Sequence, residues 1–377
     1  MIFIKIYLVN EYVHIVCLDC PEPVDYGGAI DMYHKVLSLQ SIGKKIILHY
    51  FNYKAGRAIN ELANICEQIY SYKRKKFVAS GFTQPYIVGS RIDKVLVKRL
   101  NDDDYPVILE GIHCSGILPY LKETKKVVIR IHNDEAVYYQ NLAIAESNAL
   151  KKAYYKTEAR LLKKYQQRLK KHYPLACLSL ADAGIFKSEY HFQNVSFIPC
   201  FVPWQQLNSK TGKGEFFLYH GNMTIKENEA AAIWLIENVF NQLNLPFVIA
   251  GKGISERVKS KVSNPHIKLI SDPSTEDLNI LIRTAHANVL PSMNATGVKL
   301  KLLHALFEGR FCFTNEAGIK GSGLEDVVET NESAESWIEA VKKSVNADFD
   351  EQLIQQRNKL LDLYNNKTNA EKLSELL

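Results

Sequence analysis

The segment EFFLYHGNMTIKENEAAAIWLIENVF, residues 215–240, runs from an apolar strand pattern through Gly221 into a helical pattern. Thr224 and Glu227 have the spacing of a capping box, which predicts that the helix begins near Ile225. The predicted apolar face of this helix consists of Ala230, Ile233, Trp234, Ile236, Phe240 and Leu243. Backbone N–H groups at such a helix start are free, so the segment predicts either an anion site or an ordinary strand-to-helix turn.

The same alternation of strands and helices continues on both sides of this segment. Apolar strand patterns occur at 11–20, 44–51, 106–113, 125–133, 197–204, 246–253, 267–271, 287–292 and 310–315, and residues 175–186 resemble one more strand followed by a turn. This alternation predicts an α/β protein with two Rossmann-like, doubly wound parallel-sheet domains that face an interdomain cleft, with ligands outside the carboxyl ends of the strands.

The polar, glycine-containing stretch at 210–215 predicts the boundary between the two domains. We expect one domain at 1–205 and a second at 206–350. A carboxyl-terminal helix at 351–377 could pack back on the first domain. The segment at 1–10 alternates like a strand and is too short to span a membrane.

The composition is that of a folded protein with a mild positive charge. Of 377 residues, 46% are hydrophobic and 23% charged, and the formal net charge of +6 suits a protein that binds phosphates or an anionic membrane surface. No nucleic-acid-binding motif is visible. The seven cysteines are scattered, and Cys17 and Cys20 lack the second pair that a zinc site needs, so we expect a reducing, cytoplasmic location and no metal.

Two further glycine-containing segments have features of a phosphate site. In PSMNATGVKLKLLHALFEG, residues 291–309, Gly297 precedes a helix whose first turn contains Lys299 and Lys301. Cations at the start of a helix interact unfavourably with the helix dipole, and a bound diphosphate would make their position favourable. The alternative is that both lysines are simply solvated. His304 shares a helix face with Lys301. The weaker segment, VIAGKG at 248–253, places Gly251, Lys252 and Gly253 at a strand end.

A basic tract follows the middle of the first domain. Residues 136–171 predict one long helix, and the part between 151 and 171 holds nine Lys or Arg residues against one acid, Glu158. Such a helix either lies on an anionic membrane or presents a solvated face. The acidic run at 101–105 predicts a solvated turn rather than a metal site.

These segments together resemble the family 4-like glycosyltransferases of the GT-B fold, over residues 12 to 345, of the type that builds bacterial surface polysaccharides. In the amino-terminal half, PEPVDYGGAIDMYHK resembles the family's glycine loop and first helix. EGIHCSG resembles the segment that places a histidine in the cleft, and VIRIHNDEAVYYQNLA resembles an R-x-H-N-x-E stretch of related transferases. The resemblance implies an acceptor side with Gly27, Gly28 and Arg130, and catalytic candidates His113, His132 and Glu135.

In the carboxyl-terminal half, FFLYHGNM resembles the family's first glycine loop, and residues 291–321 resemble its donor-binding signature. The family usually has two glutamates eight residues apart in this signature, where the chain has Thr296 and His304. This departure leaves the donor and the anomeric outcome open. The residues that the resemblance and the patterns assign to the donor are Gly221, Asn222, Lys226, Gly251, Lys252, Gly297, Lys299, Lys301 and His304.

The resemblance implies transfer of a sugar from a nucleotide-diphosphate sugar to a glycan or lipid-linked glycan, without metal or other cofactor, at the inner face of the cytoplasmic membrane. Residues Arg130, His132 and Glu135 could instead form a buried polar cluster. Other interpretations of the chain are an epimerase or phosphorylase of the same fold, and a catalytically silent nucleotide-sugar-binding or partner protein of a glycan-assembly complex. A dinucleotide dehydrogenase is disfavoured because no G-x-G-x-x-G turn with a following acidic residue is present.

Overall fold

The structure of the chain is a computed structural model that describes residues 11–52, 56–76 and 84–377. It divides into two compact units. The first unit comprises the residues up to Pro203 together with Tyr364–Leu377, and the second comprises Trp204–Leu363. The strand pattern predicted for residues 1–10 lies outside the described residues.

The described part of the first unit contains one parallel sheet with the strand order β3-β2-β1-β4-β5-β6-β7. The strands are β1 (Tyr12–Cys17), β2 (Lys45–Asn52), β3 (Gln68–Lys73), β4 (Val107–Glu110), β5 (Val127–Ile131), β6 (Leu175–Cys177) and β7 (Val195–Phe197). The order reverses between β1 and β4, which is the switch point where doubly wound sheets bind ligands. Strand β7 is shorter than the strand predicted at 197–204 and begins before it.

Helices cover both faces of this sheet. They are α1 (Gly27–Ser41), α2 (Tyr86–Gly89), α3 (Lys94–Asn101), α4 (Glu135–Ala145), α5 (Ala149–Arg168) and α6 (Leu180–Ser188), with 3-10 helices at Glu61–Asn64 and Ile112–Tyr120. The prediction of a single helix over 136–171 is wrong. Glu146 is extended, and the Asn148 side chain accepts a hydrogen bond from the Lys151 N–H and so starts a new helix.

The core of the first unit lies on both sides of the sheet because successive strand residues point to opposite faces. Val16 of β1 packs with Leu109, Leu162 and Phe186 on one side. Its neighbour Ile15 packs on the other side, in the cluster that also contains Val36, Ile108, Val128 and Leu373.

The second unit contains a five-stranded parallel sheet with the order β10-β9-β8-β11-β12, all within the described residues. The strands are β8 (Phe217–His220), β9 (Phe247–Gly251), β10 (Ile267–Ser271), β11 (Ala287–Val289) and β12 (Phe311–Phe313). The helices are α7 (Lys226–Asn238), α8 (Glu256–Lys259), α9 (Thr275–Thr284), α10 (Leu300–Glu308), α11 (Glu316–Ile319), α12 (Ala334–Ser344), α13 (Glu351–Gln356) and α14 (Asn358–Leu363), with a 3-10 helix at Phe240–Gln242. The order reverses between β8 and β11.

The last helix, α15 (Asn366–Glu375), belongs to the first unit. Its Ala370 and Leu373 are fully buried in the same cluster as α1 residues Val36 and Leu39. The Asn366 side chain both accepts a hydrogen bond from the Val202 N–H and donates one to the Val202 carbonyl. The chain thus returns to the first unit at 364, while α13 and α14 remain in the second.

The two parallel sheets confirm the α/β, doubly wound fold class that the sequence predicts. The acidic run at 101–105, however, is more than a solvated turn. The Asp103 carboxylate lies 3.1 Å from both His14 Nε2 and Lys125 Nζ, so it pairs a strand histidine with a buried lysine. None of the helices among the described residues combines the length and hydropathy that crossing a bilayer requires.

Candidate functional site

Gly221 and Gly251 bring the ends of β8 and β9 into backbone contact. The Gly221 N–H donates to the Ala250 carbonyl at 3.1 Å, and the Met223 N–H donates to the Lys252 carbonyl at 2.8 Å. A Cβ atom on Gly251 would lie 1.8 Å from the Gly221 carbonyl oxygen, so only glycine fits there. The two glycine loops predicted from separate motifs therefore form one surface at the carboxyl edge of the second sheet.

Lys301, in the first turn of α10, reaches across to this surface. Its Nζ donates to the Tyr219 hydroxyl and to Asn228 Oδ1, each at 3.2 Å. The Asn228 amide lies beside Gly221, where a Cβ would be 3.4 Å from the amide carbon. Burial, helped by the nearby Lys299 cation, lowers the pKa of the Lys301 amine to about 8. The structure thus joins Lys301 to the Gly221 loop through Asn228.

The loop that leads into α10 is held by its own polar side chains. Gly297 has a φ of 65°, a left-handed conformation that favours glycine. The Lys299 Nζ donates to the Thr296 carbonyl at 2.6 Å. Asn294 accepts from the Thr296 hydroxyl at 2.9 Å and donates to Glu227 at 3.0 Å. Gly297 and Lys299 therefore belong to a preformed turn that Glu227 ties to α7.

The predicted capping box at the start of α7 is wrong. The helix begins at Lys226 with Ile225 as an uncapped N-terminal residue. The Thr224 hydroxyl donates to Asn222 at 2.6 Å instead, and Glu227 is occupied by Asn294. Both side chains find partners outside the helix start, so neither of them caps α7. The remaining predicted donor residues, Asn222, Lys226 and Lys252, are exposed around this helix start.

His304 lies one turn beyond Lys301 in a ring of aromatic side chains. It stacks on Trp204 with ring centroids 4.5 Å apart and meets His220 edge-on at 6.1 Å. Burial lowers the pKa of His304 to about 4 and holds the pKa of His220 well below its usual range. Both imidazoles are therefore neutral at pH 7, and in the described structure the Nε2 atom of each has no hydrogen-bond partner. His304 cannot replace a carboxylate, but a neutral pair can exchange hydrogen bonds with hydroxyl groups.

In the first unit, the residues predicted for the acceptor side lie near the switch point between β1 and β4. Gly27 and Gly28 are the first two residues of α1, which follows β1. His113 lies in the 3-10 helix that follows β4. Burial, with the Arg91 cation as a second cause, holds the pKa of His113 well below its usual range, and its Nδ1 has no partner among the described residues. These residues thus meet the positional expectation for a ligand site.

Arg130 and His132 end in a buried ion network whose other members, Asp31, Lys35 and Glu110, the sequence analysis did not name. The Arg130 guanidinium is fully buried and donates to Asp31 at 3.0 Å and to the Ile198 and Pro199 carbonyls. Lys35 Nζ lies 3.0 Å from Asp31 and 2.7 Å from Glu110. Glu110 in turn lies 2.8 Å from His132 Nε2. These contacts are those of the alternative considered above, a buried polar cluster.

Asp31, Glu110 and His132 also have ligand atoms within 4.8 Å of one another, a spacing that a metal ion could bridge. Burial alone would raise the pKa of the Asp31 carboxyl, but Arg130 and Lys35 lower it below its usual range. Burial opposes Lys35 and His132 at Glu110 in the same way, and the net pKa is again lowered. The two cations already neutralise both carboxylates, so the network does not fit a metal. The sequence signal for it was the Asp31 and Lys35 pair, four residues apart on one face of α1.

Glu135, the first residue of α4, is buried without a cation partner in the described contacts. Asn133 Nδ2 donates to its Oε1 at 3.4 Å. Burial, together with the nearby Asp182 and Asp134 charges, raises the pKa of Glu135 to about 8. A carboxyl that is mostly protonated at pH 7 can take part in proton transfer, which distinguishes Glu135 from the ion-paired Glu110.

Three of the longer helices, α1, α7 and α10, begin without a side-chain N-cap in the described structure. Helices α3, α4, α5, α6, α9, α12 and α15 are capped by an Asp, Asn or Ser side chain. The uncapped helices are those that follow β1, β8 and β11, at the two switch points. At these three starts no N-cap side chain competes with an anionic or polar ligand.

Comparison with known proteins gives the fold a name. The chain matches no protein-family model. It is 27% identical over 328 residues to an uncharacterized 44.6 kDa protein in the cps region of Klebsiella pneumoniae, covering 82% of this chain and 84% of that protein.

Solved structures resemble the chain over both units. A glycosyltransferase from Rickettsia africae superposes with a TM-score of 0.67 at 12% identity, over 97% of this chain and 98% of its own. TarM superposes with a TM-score of 0.67 at 12% identity, over 98% and 99%. WaaG, a glycosyltransferase involved in lipopolysaccharide biosynthesis, superposes with a TM-score of 0.63 at 13% identity, over 97% and 99%. At these identities the likeness establishes a shared fold.

Proposed function

We propose that this chain, which has the fold of the GT-B glycosyltransferases, transfers a sugar from a nucleotide-diphosphate sugar to a glycan or lipid-linked glycan. The observation that carries the proposal is the contact of Lys301 with Asn228 beside the Gly221 and Gly251 loops. A cation, two glycine loops and two uncapped helix starts meet at one switch point. This combination suits a pyrophosphate group.

Departure of the nucleotide diphosphate leaves negative charge that the site must stabilise. Lys301 donates to two neutral oxygens and makes no ion pair in the described contacts, and the nearest carboxylate that acts on it, Glu227, is engaged by Asn294. The helix starts of α7 and α10, which have no N-cap side chain, add fixed dipoles that need no rearrangement during the reaction. These groups supply the charge that a divalent ion would otherwise provide, and we therefore propose transfer that does not require a metal.

The paired imidazoles His220 and His304 are proposed to bind sugar or ribose hydroxyls of the donor. Each has an unpartnered Nε2, and the stacked Trp204 fixes the plane of the His304 ring. A neutral imidazole can donate or accept, according to its tautomer, so it suits hydroxyl groups. The sequence departure at His304 is then a change in how hydroxyls are bound and not a loss of the site.

The acceptor is proposed to bind the first unit near Gly27, Gly28 and His113. Glu135 is the preferred candidate for the base because its pKa, raised to about 8, lies close to neutral pH, so that its ionised fraction is a stronger base than an ordinary carboxylate, while His132 is engaged by Glu110. Arg130 would act as a positioning residue, since all its described hydrogen bonds are to Asp31 and the backbone at 198–199.

A place in polysaccharide biosynthesis at the inner face of the cytoplasmic membrane completes the proposal. It is supported by the likeness to WaaG, which is involved in lipopolysaccharide biosynthesis, and by the relative in the cps region. The basic residues between 151 and 171 supply the proposed peripheral contact with anionic lipid.

A thermal-shift screen against UDP, GDP, dTDP and CMP sugars tests the donor site. One nucleotide class is expected to stabilise the chain, by about 2.7 kcal/mol at 100 times its Kd. The stabilised donor is then incubated with lipid-linked glycan extracts, with and without EDTA, and the products are separated by mass. Stabilisation without transfer or slow hydrolysis would favour a silent binding protein, and an epimeric sugar nucleotide would favour an epimerase.

A further inference from the structure

A cavity of about 530 Å³ lies between α4 and α5. Asp134 and Ala136, the neighbours of Glu135, line it, but neither Glu135 nor any residue assigned above to the donor does. Its α4 wall is apolar and includes Val137, Ala143 and Ile144. The volume falls within the range of small-molecule sites. The cavity is therefore large enough for a ligand, and no step of the proposed transfer uses it.

The α5 wall of this cavity consists mainly of cations. Lys152, Lys156, Arg160 and Lys163 all line it, and their spacings of three and four residues place them on one helix face. Among the described residues, none of the four has an ion-pair partner. Like charges at this spacing repel one another, so a bound anion would stabilise the helix.

The two acids that line the cavity do not neutralise this face. The Asp134 carboxylate is occupied by Gln166 at 2.9 Å and by the Tyr190 hydroxyl at 3.0 Å. Glu189 is a single exposed carboxylate at the other side. Four cations face two acids, of which one is already satisfied by neutral donors. Charge complementarity therefore selects an anionic ligand.

The apolar wall indicates that the ligand has a hydrocarbon part as well as an anionic group. Ile144 lines the cavity and is 70% exposed, and Leu150, in the first turn of α5, is 83% exposed. A free phosphate would leave the exposed surface of Ile144 and the partly exposed surface of Val137 in water. A hydrocarbon chain would cover them and gain the free energy of apolar burial.

We propose that this cavity binds one molecule of a phosphate-headed membrane lipid. The phosphate pairs with Lys152, Lys156, Arg160 and Lys163, and the first part of the hydrocarbon chain lies along Val137, Ala143 and Ile144. The inference deepens the peripheral membrane contact proposed above and rests on it. It is independent of sugar transfer, because binding to the cavity needs neither the donor site nor turnover.

Flotation of the full chain with vesicles tests the lipid site without any donor. Phosphatidylcholine vesicles with and without 30% phosphatidylglycerol are the two arms, with free pyrophosphate as a competitor in a third. Binding is expected only to the anionic vesicles. The double variant K156Q/R160Q should lose about 30-fold in partition coefficient, since each basic residue near an anionic surface contributes about 1 kcal/mol, or about fivefold.

The matched control is K151Q/K164Q, which removes the same charge from exposed positions of the same helix that do not line the cavity. Its loss should stay below about threefold. Equal losses in the two double variants would overturn the site, because they would show a diffuse basic surface instead.

A second pair of variants tests the hydrocarbon chain. Ile144→Asn should weaken vesicle binding several-fold, whereas Leu150→Asn, which is more exposed and does not line the cavity, should not. Equal effects would overturn the proposed position of the chain. Pyrophosphate binding that K156Q/R160Q abolishes and Ile144→Asn leaves unchanged would overturn the lipid in favour of a free phosphate compound.

Discussion

Lys301 differs from the surface lysines of the second unit because its partners are a phenol and an amide. Surface lysines such as Lys259, which lies 2.6 Å from Glu256, have their charge cancelled by a carboxylate. The Tyr219 hydroxyl and the Asn228 amide instead orient the Lys301 amine and leave its positive charge available. Lys301 is therefore the residue whose loss should affect donor binding most.

Lys301→Met should weaken binding of the nucleotide diphosphate about 10- to 150-fold, the value of one lost charge-assisted hydrogen bond. Calorimetric titration with the donor nucleotide found in the screen measures this loss. Lys259→Met serves as the control and should bind as wild type does. A change of less than threefold in Lys301→Met would remove this lysine from the donor site.

Donor binding should also depend on pH through the same residue. The pKa of Lys301 is lowered to about 8, so the amine is charged at pH 7 and loses its proton as the pH rises through 8. A phosphate-bearing ligand stays fully ionised over this range. Affinity is therefore expected to fall between pH 7 and pH 9, and the fall should be absent in Lys301→Met. A pH-independent wild-type affinity would contradict the assigned charge state.

Glu135, whose pKa is raised and not lowered, gives a prediction for the stability of the first unit. Its pKa is raised to about 8 in the folded chain, above the ordinary value of about 4.3, so the folded state binds more protons than the unfolded state between these values. The associated stability is fully present below about pH 4 and is lost as the pH rises through 8. Glu135→Gln should flatten this part of the stability profile in denaturant unfolding.

The same variant separates a structural role from a catalytic one. If Glu135 is the base, Glu135→Gln should lower kcat by about 10²- to 10⁴-fold while the chain stays folded. Exposed Glu123 in the same unit supplies the control, and Glu123→Gln should change neither the stability profile nor turnover. Full turnover in Glu135→Gln would exclude Glu135 as the base.

At the scale of elements, the contact between the loops after β8 and β9 depends on the absence of one side chain. Gly251→Ala would place a methyl group 1.8 Å from the Gly221 carbonyl oxygen, which neither backbone can avoid without moving. We expect a loss of roughly 1–3 kcal/mol or more in unfolding free energy and weaker donor binding. Gly184→Ala in α6, where nothing lies within 4 Å, should instead stabilise by about 0.5–1 kcal/mol. Denaturant titration of both variants measures the contrast.

Strand-to-helix segments were predictable from the sequence where their own residues determine them. Strands β8, β9 and β11 are apolar runs, and each lies within the segment whose pattern predicted it. Elements whose boundaries depend on contacts with residues far away along the chain could not be predicted in this way. The start of α7 failed as a capping box because Asn222 and Asn294 occupy the two capping side chains. Strand β3 was missed because it is an edge strand that is partly exposed, without a continuous apolar pattern.

The candidate sites show the same limit. Gly221, Gly251 and Lys301 could be named because each lies in a contiguous motif. Tyr219 and Asn228 could not be named as partners of Lys301, since they are 82 and 73 residues away along the chain. The uncapped helix starts are likewise visible only once the neighbours of each N-terminus are known.

For the whole molecule, the last helix of the chain completes the core of the first unit. Leu373→Ala removes a fully buried side chain from the cluster that contains Ile15 and Val36, and should cost about 2–5 kcal/mol in that unit. Hydrogen exchange should show faster exchange in β1 and α1 but not in β8 or β9. Lys372→Ala, an exposed change on the same helix, is the control. Loss of protection in both units would contradict their separate cores.

The return of the chain at residue 364 also has a consequence for synthesis. The ribosome makes about 5–20 residues per second, so roughly 10–30 s pass between the emergence of Pro203 and that of α15. Throughout this interval the newly made first sheet lacks Ala370 and Leu373, and the apolar face of α1 that they cover stays open to solvent. The nascent chain therefore exposes part of its apolar core while the whole second sheet is being translated. Chaperones bind such exposed apolar surface, and the same surface promotes aggregation.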